Sequence, residues 1–139
     1  MPVCGKRQAA LLQRSDRRGS VARLRLSGNH LVVAPQTLVE FGAVATRPLE
    51  ANGFGWDSAR TADECREFLK HFPLLEDRPA VFTEWMNLVE RNGIRGRRTF
   101  DARLVAVMQV HGVSRMVTFN TEDFLGFTGI QIVDPRTIT

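Results

Sequence analysis

The spacing of hydrophobic residues along this chain predicts helices that alternate with short strands. Apolar runs typical of buried strands occupy 30–34 (HLVVA), 113–119 (VSRMVTF) and 130–133 (IQIV), and Leu74–Leu75 forms a shorter, edge-like run. Four segments show the spacing of amphipathic helices: 35–47, 57–72, 79–93 and 100–112. Strands that alternate with helices predict an α/β fold with a mainly parallel sheet covered by helices.

Charge divides the chain into two parts. Residues 1–27 carry seven basic side chains against Asp16 alone, a net charge of +6, whereas the other 112 residues carry 12 basic and 14 acidic side chains, a net charge of −2. The pI of about 10.0 is therefore a property of the N-terminus and not of the domain that follows. We predict an atypical basic segment over 1–27 and one folded domain over 28–139.

Several classes of protein are disfavoured by what the sequence lacks. It has no run of eighteen apolar residues and no signal peptide, so we expect a cytoplasmic protein without a membrane span. Cys4 and Cys65 are far apart, which indicates reduced thiols. A GxSxG elbow, a Walker loop, HExxH and paired CxxC motifs are all absent.

Three acidic residues are the candidates for chemistry. Glu40 lies about one turn into the first predicted helix, Asp101 opens a later one, and Asp123 follows a strand. Since ligands of open α/β sheets bind at the carboxyl ends of the strands, the three carboxylates could face one crevice. Such a cluster suits a hard cation, Mg²⁺ or Mn²⁺, that activates water for phosphodiester cleavage. Helix capping and a solvated helix face explain the same residues without a metal.

Arginines flank the candidate acidic site. Arg95, Arg97 and Arg98 precede Asp101 and could neutralise the phosphates of a nucleic acid. An ordinary solvated basic loop is the alternative interpretation.

Several motifs, in order, resemble the PIN-domain ribonucleases, specifically the VapC toxins of toxin–antitoxin modules. They are APQTLVEFGAVATRPLEANGFG, FPLL, DARLVAVMQVHGVSRMVTFNTEDF and GIQIVDP, which together span about 28–135. The resemblance implies a PIN-like α/β/α sandwich with a small, mostly parallel sheet. It also implies Mg²⁺-dependent endonuclease cleavage of RNA, a homodimer, and inhibition by a small cognate antitoxin protein.

The same resemblance assigns roles to individual residues. Glu40, Asp101 and Asp123 match the second, third and fourth acidic positions of the family, which bind the metal and serve catalysis. Thr118 and Asn120 stand where polar residues would orient water or metal ligands. Arg95, Arg97 and Arg98 would then steer the RNA backbone.

The chain departs from the family pattern at its N-terminus. The family begins with an apolar strand that ends in Asp, whereas Asp16 is the only acidic residue before Glu40 here. We therefore expect that first strand to be absent or replaced, 1–27 to be a substituted or out-of-frame segment, and nuclease activity to be weak or absent. The alternatives are an inert PIN scaffold that binds antitoxin or RNA without cleaving, and an unrelated basic RNA-binding domain.

Overall fold

The computed structural model describes residues 30–138, so the predicted basic segment 1–27 lies outside the described residues. Four α-helices form most of this part of the chain: α1 (Pro35–Thr46), α2 (Ser58–His71), α3 (Pro79–Asn92) and α4 (Arg98–Val110). Two strands follow α4, β1 (Arg115–Val117) and β2 (Gln131–Val133). Short 3₁₀ turns occupy Leu49–Ala51, Thr121–Phe124 and Pro135–Thr137. No helix in 30–138 is both long and apolar enough to cross a membrane.

The strands run parallel, as the alternation of elements predicts. β1 pairs with β2 so that Met116 lies opposite Ile132. The extended segment 31–34 is joined to the residues after α2 by a parallel bridge between Val33 and Leu74. In that bridge the Val33 N–H donates to the Pro73 carbonyl at 3.0 Å.

The strands are shorter than their apolar runs, so three predicted boundaries were wrong. Within 30–34 only Val33 bridges to another described residue, 113–119 contains a strand of three residues, and 130–133 begins its strand one residue late. The N–H of Val113 donates to the Met108 carbonyl at 2.8 Å, which makes this residue part of the helix ending and removes it from the strand.

Two other boundaries also differ from the prediction. The sequence FLGF at 124–127 predicts a half-turn of helix, but the 3₁₀ turn lies earlier, at Thr121–Phe124. α4 begins at Arg98, which shortens the predicted basic loop, because the N–H groups of Thr99 and Phe100 already donate to carbonyls one turn back.

Alternate residues of 31–34 face two different hydrophobic clusters. Val32 and Ala34 pack with α3 and α4, whereas Leu31 and Val33 pack with Phe72 and the side chains beside it. An extended segment whose successive side chains point to opposite faces, both of them buried, is typical of a sheet covered by helices on its two sides. The predicted α/β/α arrangement is therefore confirmed.

Helix boundaries follow local signals in the sequence. The Asp57 carboxylate accepts the Arg60 N–H at 2.7 Å and caps α2 at the position where the segment 57–72 was predicted to begin. Gly93 and Gly112 adopt φ of 58° and 67° just after α3 and α4, a conformation that suits glycine. The start of α4 lies beside the start of α1, where the Gln36 side chain donates to the Phe100 carbonyl.

Candidate functional site

The three predicted carboxylates come from separate elements that meet at the N-terminal end of α4. Glu40 lies in α1, Asp101 in the first turn of α4, and Asp123 in the 3₁₀ turn after β1. α1 and this 3₁₀ turn both follow extended segments, 31–34 and β1, so their residues lie beyond carboxyl ends of strands, where α/β folds place ligands.

Hydrogen bonds join the start of α4 to each of the two neighbouring elements. The Gln36 side chain of α1 donates from Nε2 to the Phe100 carbonyl at 3.0 Å, next to Asp101. The same nitrogen donates to Glu40 Oε1 at 2.8 Å. On the other side Arg98 donates from Nη2 to the Leu125 carbonyl at 2.9 Å, two residues beyond Asp123. The start of α4 is thus fastened to both neighbouring acidic elements.

The electrostatics of Asp101 show that its carboxylate lies within the influence of Asp123 and Glu40. Partial burial raises the pKa of Asp101, and the negative charges of Asp123 and Glu40 raise it further. Arg98 and Arg97 lower the pKa of Asp101 without cancelling those effects. The surroundings of Asp101 therefore disfavour its negative charge, which a nearby cation would stabilise.

The chemistry of these side chains fits a hard divalent cation, although they do not form a complete ligand set. Glu40 and Asp101 are half-buried and Asp123 is exposed, and all three offer carboxylate oxygens, the ligands that Mg²⁺ prefers. Among residues 30–138 no three acidic, His or Cys side chains are grouped closely enough to count as a metal site. Mg²⁺ usually keeps several of its water ligands and binds a protein through one or two carboxylates, so an incomplete set of protein ligands is compatible with this cation.

The two predicted supporting residues shape the backbone after β1. Thr118 is buried, and its hydroxyl accepts the Asn120 N–H at 3.1 Å. The Thr118 N–H donates to the Val133 carbonyl at 3.1 Å, which extends the pairing of β1 with β2. Asn120 is exposed and immediately precedes the 3₁₀ turn that carries Asp123. These contacts set the path of the chain toward Asp123.

The predicted arginines differ in their surroundings. Arg95, Arg97 and Arg98 are all exposed. Arg98 also lies over the Phe127 ring, with 5.3 Å from its guanidinium carbon to the ring centroid. Arg98 thus fastens α4 to the segment after Asp123, while Arg97 and Arg98 both act on the charge of Asp101.

Sequence reasoning missed Gln36 and Asp77. Gln36 precedes Glu40 by one helical turn, and this four-residue spacing is a signal that could have identified the pair. Asp77 accepts a hydrogen bond from Arg103 Nη2 at 3.0 Å, and Arg103 Nη1 donates to Gln36 Oε1 at 3.3 Å. These two contacts of Arg103 join residues that are distant in sequence, so no local sequence pattern predicts them.

A surface cavity of about 250 Å³ lies on the far side of Arg103 and contains none of the three carboxylates. Its lining residues are Asp77, Arg78, Val81, Phe82, Trp85 and Arg103. Phe82 and Trp85 stack there with 5.5 Å between ring centroids, and the Trp85 indole donates to the Thr99 carbonyl at 2.8 Å.

Known proteins share this fold and parts of this sequence. Ribonuclease VapC24 from two strains of Mycobacterium tuberculosis, CDC 1551 / Oshkosh and ATCC 25618 / H37Rv, is 34% identical over 96 residues, which are 68% of this chain and 61% of that protein. The chain thus spans about three fifths of the length of these curated relatives.

Solved structures agree in fold at low sequence identity. DNA-bound VapBC from Salmonella typhimurium matches with a TM-score of 0.68 and 18% identity, covering 93% of this chain and 98% of that one. VapBC-1 from nontypeable Haemophilus influenzae matches with a TM-score of 0.66 and 16% identity, covering 93% and 99%. The PIN domain family profile matches residues 9–126. The resemblance drawn from the sequence motifs is thereby confirmed, and the chain belongs to the PIN domain family.

Proposed function

We propose that this protein is a VapC-type endoribonuclease that cleaves RNA phosphodiester bonds with Mg²⁺ or Mn²⁺. The observation that carries the proposal is the convergence of Glu40, Asp101 and Asp123, from three separate elements, on one end of α4 in a PIN-family fold. The similarity to ribonuclease VapC24 supports the same reaction.

Glu40, Asp101 and Asp123 would hold the cation. A bound divalent cation supplies a Lewis acid that activates water and stabilises the charge developing on the phosphate. The Glu40 and Asp101 carboxylates are half-buried, so they offer less solvated negative charge for this purpose than the exposed Asp123. Arg95 and Arg97 are exposed beside it and would contact RNA phosphates, which places the substrate backbone against the carboxylates.

Cleavage of a labelled RNA by the full chain in Mg²⁺ tests the proposal. We expect slow cleavage that EDTA abolishes and that Asp101→Asn, purified identically, lowers at least about 100-fold, as for loss of a group that stabilises transition-state charge. Glu67→Gln removes an exposed carboxylate from α2 and serves as the control with unchanged rate. Cleavage that persists in EDTA and in Asp101→Asn would reject metal-dependent cleavage at these carboxylates, and no cleavage by the wild type in Mg²⁺ would reject the nuclease assignment.

An inert PIN scaffold is the second candidate. It is favoured by one observation: Asp16 is the only acidic residue before Glu40, so the N-terminal part offers at most one carboxylate to complete the ligand set. If the chain is such a scaffold, the wild type does not bind Mn²⁺, and a variant with all three carboxylates neutralised still binds antitoxin or RNA. If the chain is an enzyme, the wild type binds Mn²⁺ and this variant does not.

We infer a small antitoxin protein and a second copy of this chain as partners. Several of the matched solved structures are toxin–antitoxin or VapBC complexes. Large apolar side chains next to the acidic residues also remain exposed: Val39 by 71%, Phe100 by 62% and Leu125 by 66%. An apolar rim of this kind is typical of a protein interface. Sedimentation of the full chain alone and with its candidate antitoxin distinguishes monomer, dimer and complex.

A further inference from the structure

A continuous series of hydrogen bonds leads from the α2–α3 connection to the carboxylate of Glu40. Asp77 Oδ1 accepts from Arg103 Nη2 at 3.0 Å, and Arg103 Nη1 donates to Gln36 Oε1 at 3.3 Å. Gln36 Nε2 donates in turn to Glu40 Oε1 at 2.8 Å. The series therefore crosses from the α2–α3 connection through α4 to α1, and it ends on one of the three acidic residues.

The partners of Gln36 admit only one orientation of its amide. Arg103 can only donate, so it must face the amide oxygen. Glu40 and the Phe100 carbonyl accept, so both must face the amide nitrogen, and its two N–H groups supply one bond to each. In the flipped orientation the amide oxygen of Gln36 would face the oxygens of Glu40 and Phe100, and its N–H groups would face the Arg103 guanidinium. Arg103 thus fixes the direction in which Gln36 donates.

This arrangement orients Glu40 without neutralising it. A direct Arg–carboxylate pair would cancel the negative charge that a cation needs, whereas the neutral amide lies between the guanidinium and Glu40. Asp77 pairs with Arg103 at 3.0 Å and balances its positive charge. Among the described residues the Glu40 carboxylate accepts a hydrogen bond only through Oε1.

We propose that Gln36, locked by Arg103 and Asp77, is a positioning residue that holds Glu40 in the rotamer suited to the divalent cation. Because the metal role of Glu40 is itself proposed, the role of Gln36 rests on the proposed function. Hydrogen-bonding partners behind metal ligands commonly contribute 10- to 100-fold in metal affinity, and Gln36 has the geometry of such a partner.

Paramagnetic resonance titrations of the full chain with Mn²⁺ test this role. Gln36→Met keeps the length of the side chain and its helix propensity while removing both the donor and the acceptor. We expect it to raise the Mn²⁺ dissociation constant about 10-fold, and Arg103→Met about 3-fold, since the latter only frees the amide to turn. Arg66→Met removes an exposed arginine with an acidic partner elsewhere on α2 and should leave the constant unchanged.

The double variant distinguishes a relay from two separate effects. If Arg103 acts only through Gln36, then Gln36→Met with Arg103→Met should weaken binding about 10-fold, like Gln36→Met alone, and not by the product of about 30-fold. Melting temperatures of all variants show whether folding changed. If Gln36→Met unfolds the chain, the Mn²⁺ dissociation constants of Arg103→Met and Asp77→Asn test the same series of hydrogen bonds at its other end.

The outcomes distinguish this inference from the proposed function. Wild-type binding that Glu40→Gln weakens but Gln36→Met leaves unchanged overturns the positioning role and leaves the metal site standing. Losses that multiply in the double variant overturn the relay. A wild-type chain that does not bind Mn²⁺ overturns both.

Discussion

The two ends of helix α4 differ in how deeply their side chains are buried and in the charges around them. From Leu104 to Met108 its side chains are almost completely buried, at 0–1% exposure, between α3 and the sheet. Its first turn instead holds Phe100, which is 62% exposed, and Asp101, whose burial and neighbouring carboxylates raise its pKa. The body of the helix stabilises the fold, whereas its start holds a carboxylate that is repelled by like charges at the candidate site.

The beginnings of α2 and α4 make a second contrast. Asp57 caps α2 by accepting a backbone N–H, a stabilising use of a carboxylate. No side chain caps α4, and the carboxylate in its first turn faces two others. Burial and the negative charges of Asp123 and Glu40 raise the pKa of Asp101, so this carboxylate is not placed there to stabilise the helix in the way that Asp57 is.

The largest expected effect is in the body of α4. Leu104→Ala removes a side chain that is 1% exposed and should lower the free energy of unfolding by about 3 kcal/mol through lost burial and a cavity. Urea denaturation followed by circular dichroism measures it. Phe100→Ala, in the exposed first turn, is the control and should change stability by less than about 0.5 kcal/mol. Equal losses in the two variants would remove the distinction between the ends.

A smaller effect is expected at the cap of α2. Asp57→Ala leaves the Arg60 N–H without its side-chain acceptor and should cost about 1 kcal/mol. Asp63→Ala removes an exposed ion pair with Arg66 on the same helix and should cost at most about 0.5 kcal/mol. Thermal unfolding compares the two variants, and an equal shift in melting temperature would show that the cap contributes no more to stability than the exposed ion pair.

The smallest effect has the opposite sign. Asp101→Asn removes the repelled carboxylate and should raise the free energy of unfolding at pH 7 slightly, by no more than the roughly 0.5 kcal/mol usual for substitutions outside the core. Burial and the charges of Asp123 and Glu40 raise the pKa of Asp101 in the folded state, so the wild type loses stability as pH rises from below the unfolded pKa to above the folded pKa.

The gain from Asp101→Asn should therefore vanish near pH 3, where the carboxyl group is protonated in both states. Urea denaturation at pH 7 and pH 3 measures the difference, and high salt should reduce the gain at pH 7 by screening. A destabilising effect at pH 7 would mean that Asp101 is stabilised in the fold and that the contrast between the ends of α4 is wrong.

Helices were predicted well because their signals are local. Pro35 and Pro79 open α1 and α3, Asp57 caps α2, and Gly93 and Gly112 close α3 and α4, each within a residue or two of the predicted position. The strands were overestimated because an apolar run marks burial and not pairing. Val113 is 3% exposed and belongs to the run, yet its N–H completes the end of α4.

The candidate site was only partly predictable. Glu40, Asp101 and Asp123 could be named from the sequence because the family pattern and the strand–helix order both point to them. The contacts that arrange them could not be named, since Gln36 meets Phe100 across 64 positions and Arg103 meets Gln36 across 67. Such contacts depend on how helices cross, which no local periodicity encodes.

Calorimetric titration of the full chain with Mn²⁺ tests the central claim most directly. We predict saturable binding that is weakened at least about 10-fold by Glu40→Gln, Asp101→Asn and Asp123→Asn, each tested separately, and left unchanged by Glu67→Gln on α2. Titrations that are the same for the wild type and the three site variants would contradict the claim that these carboxylates share one cation.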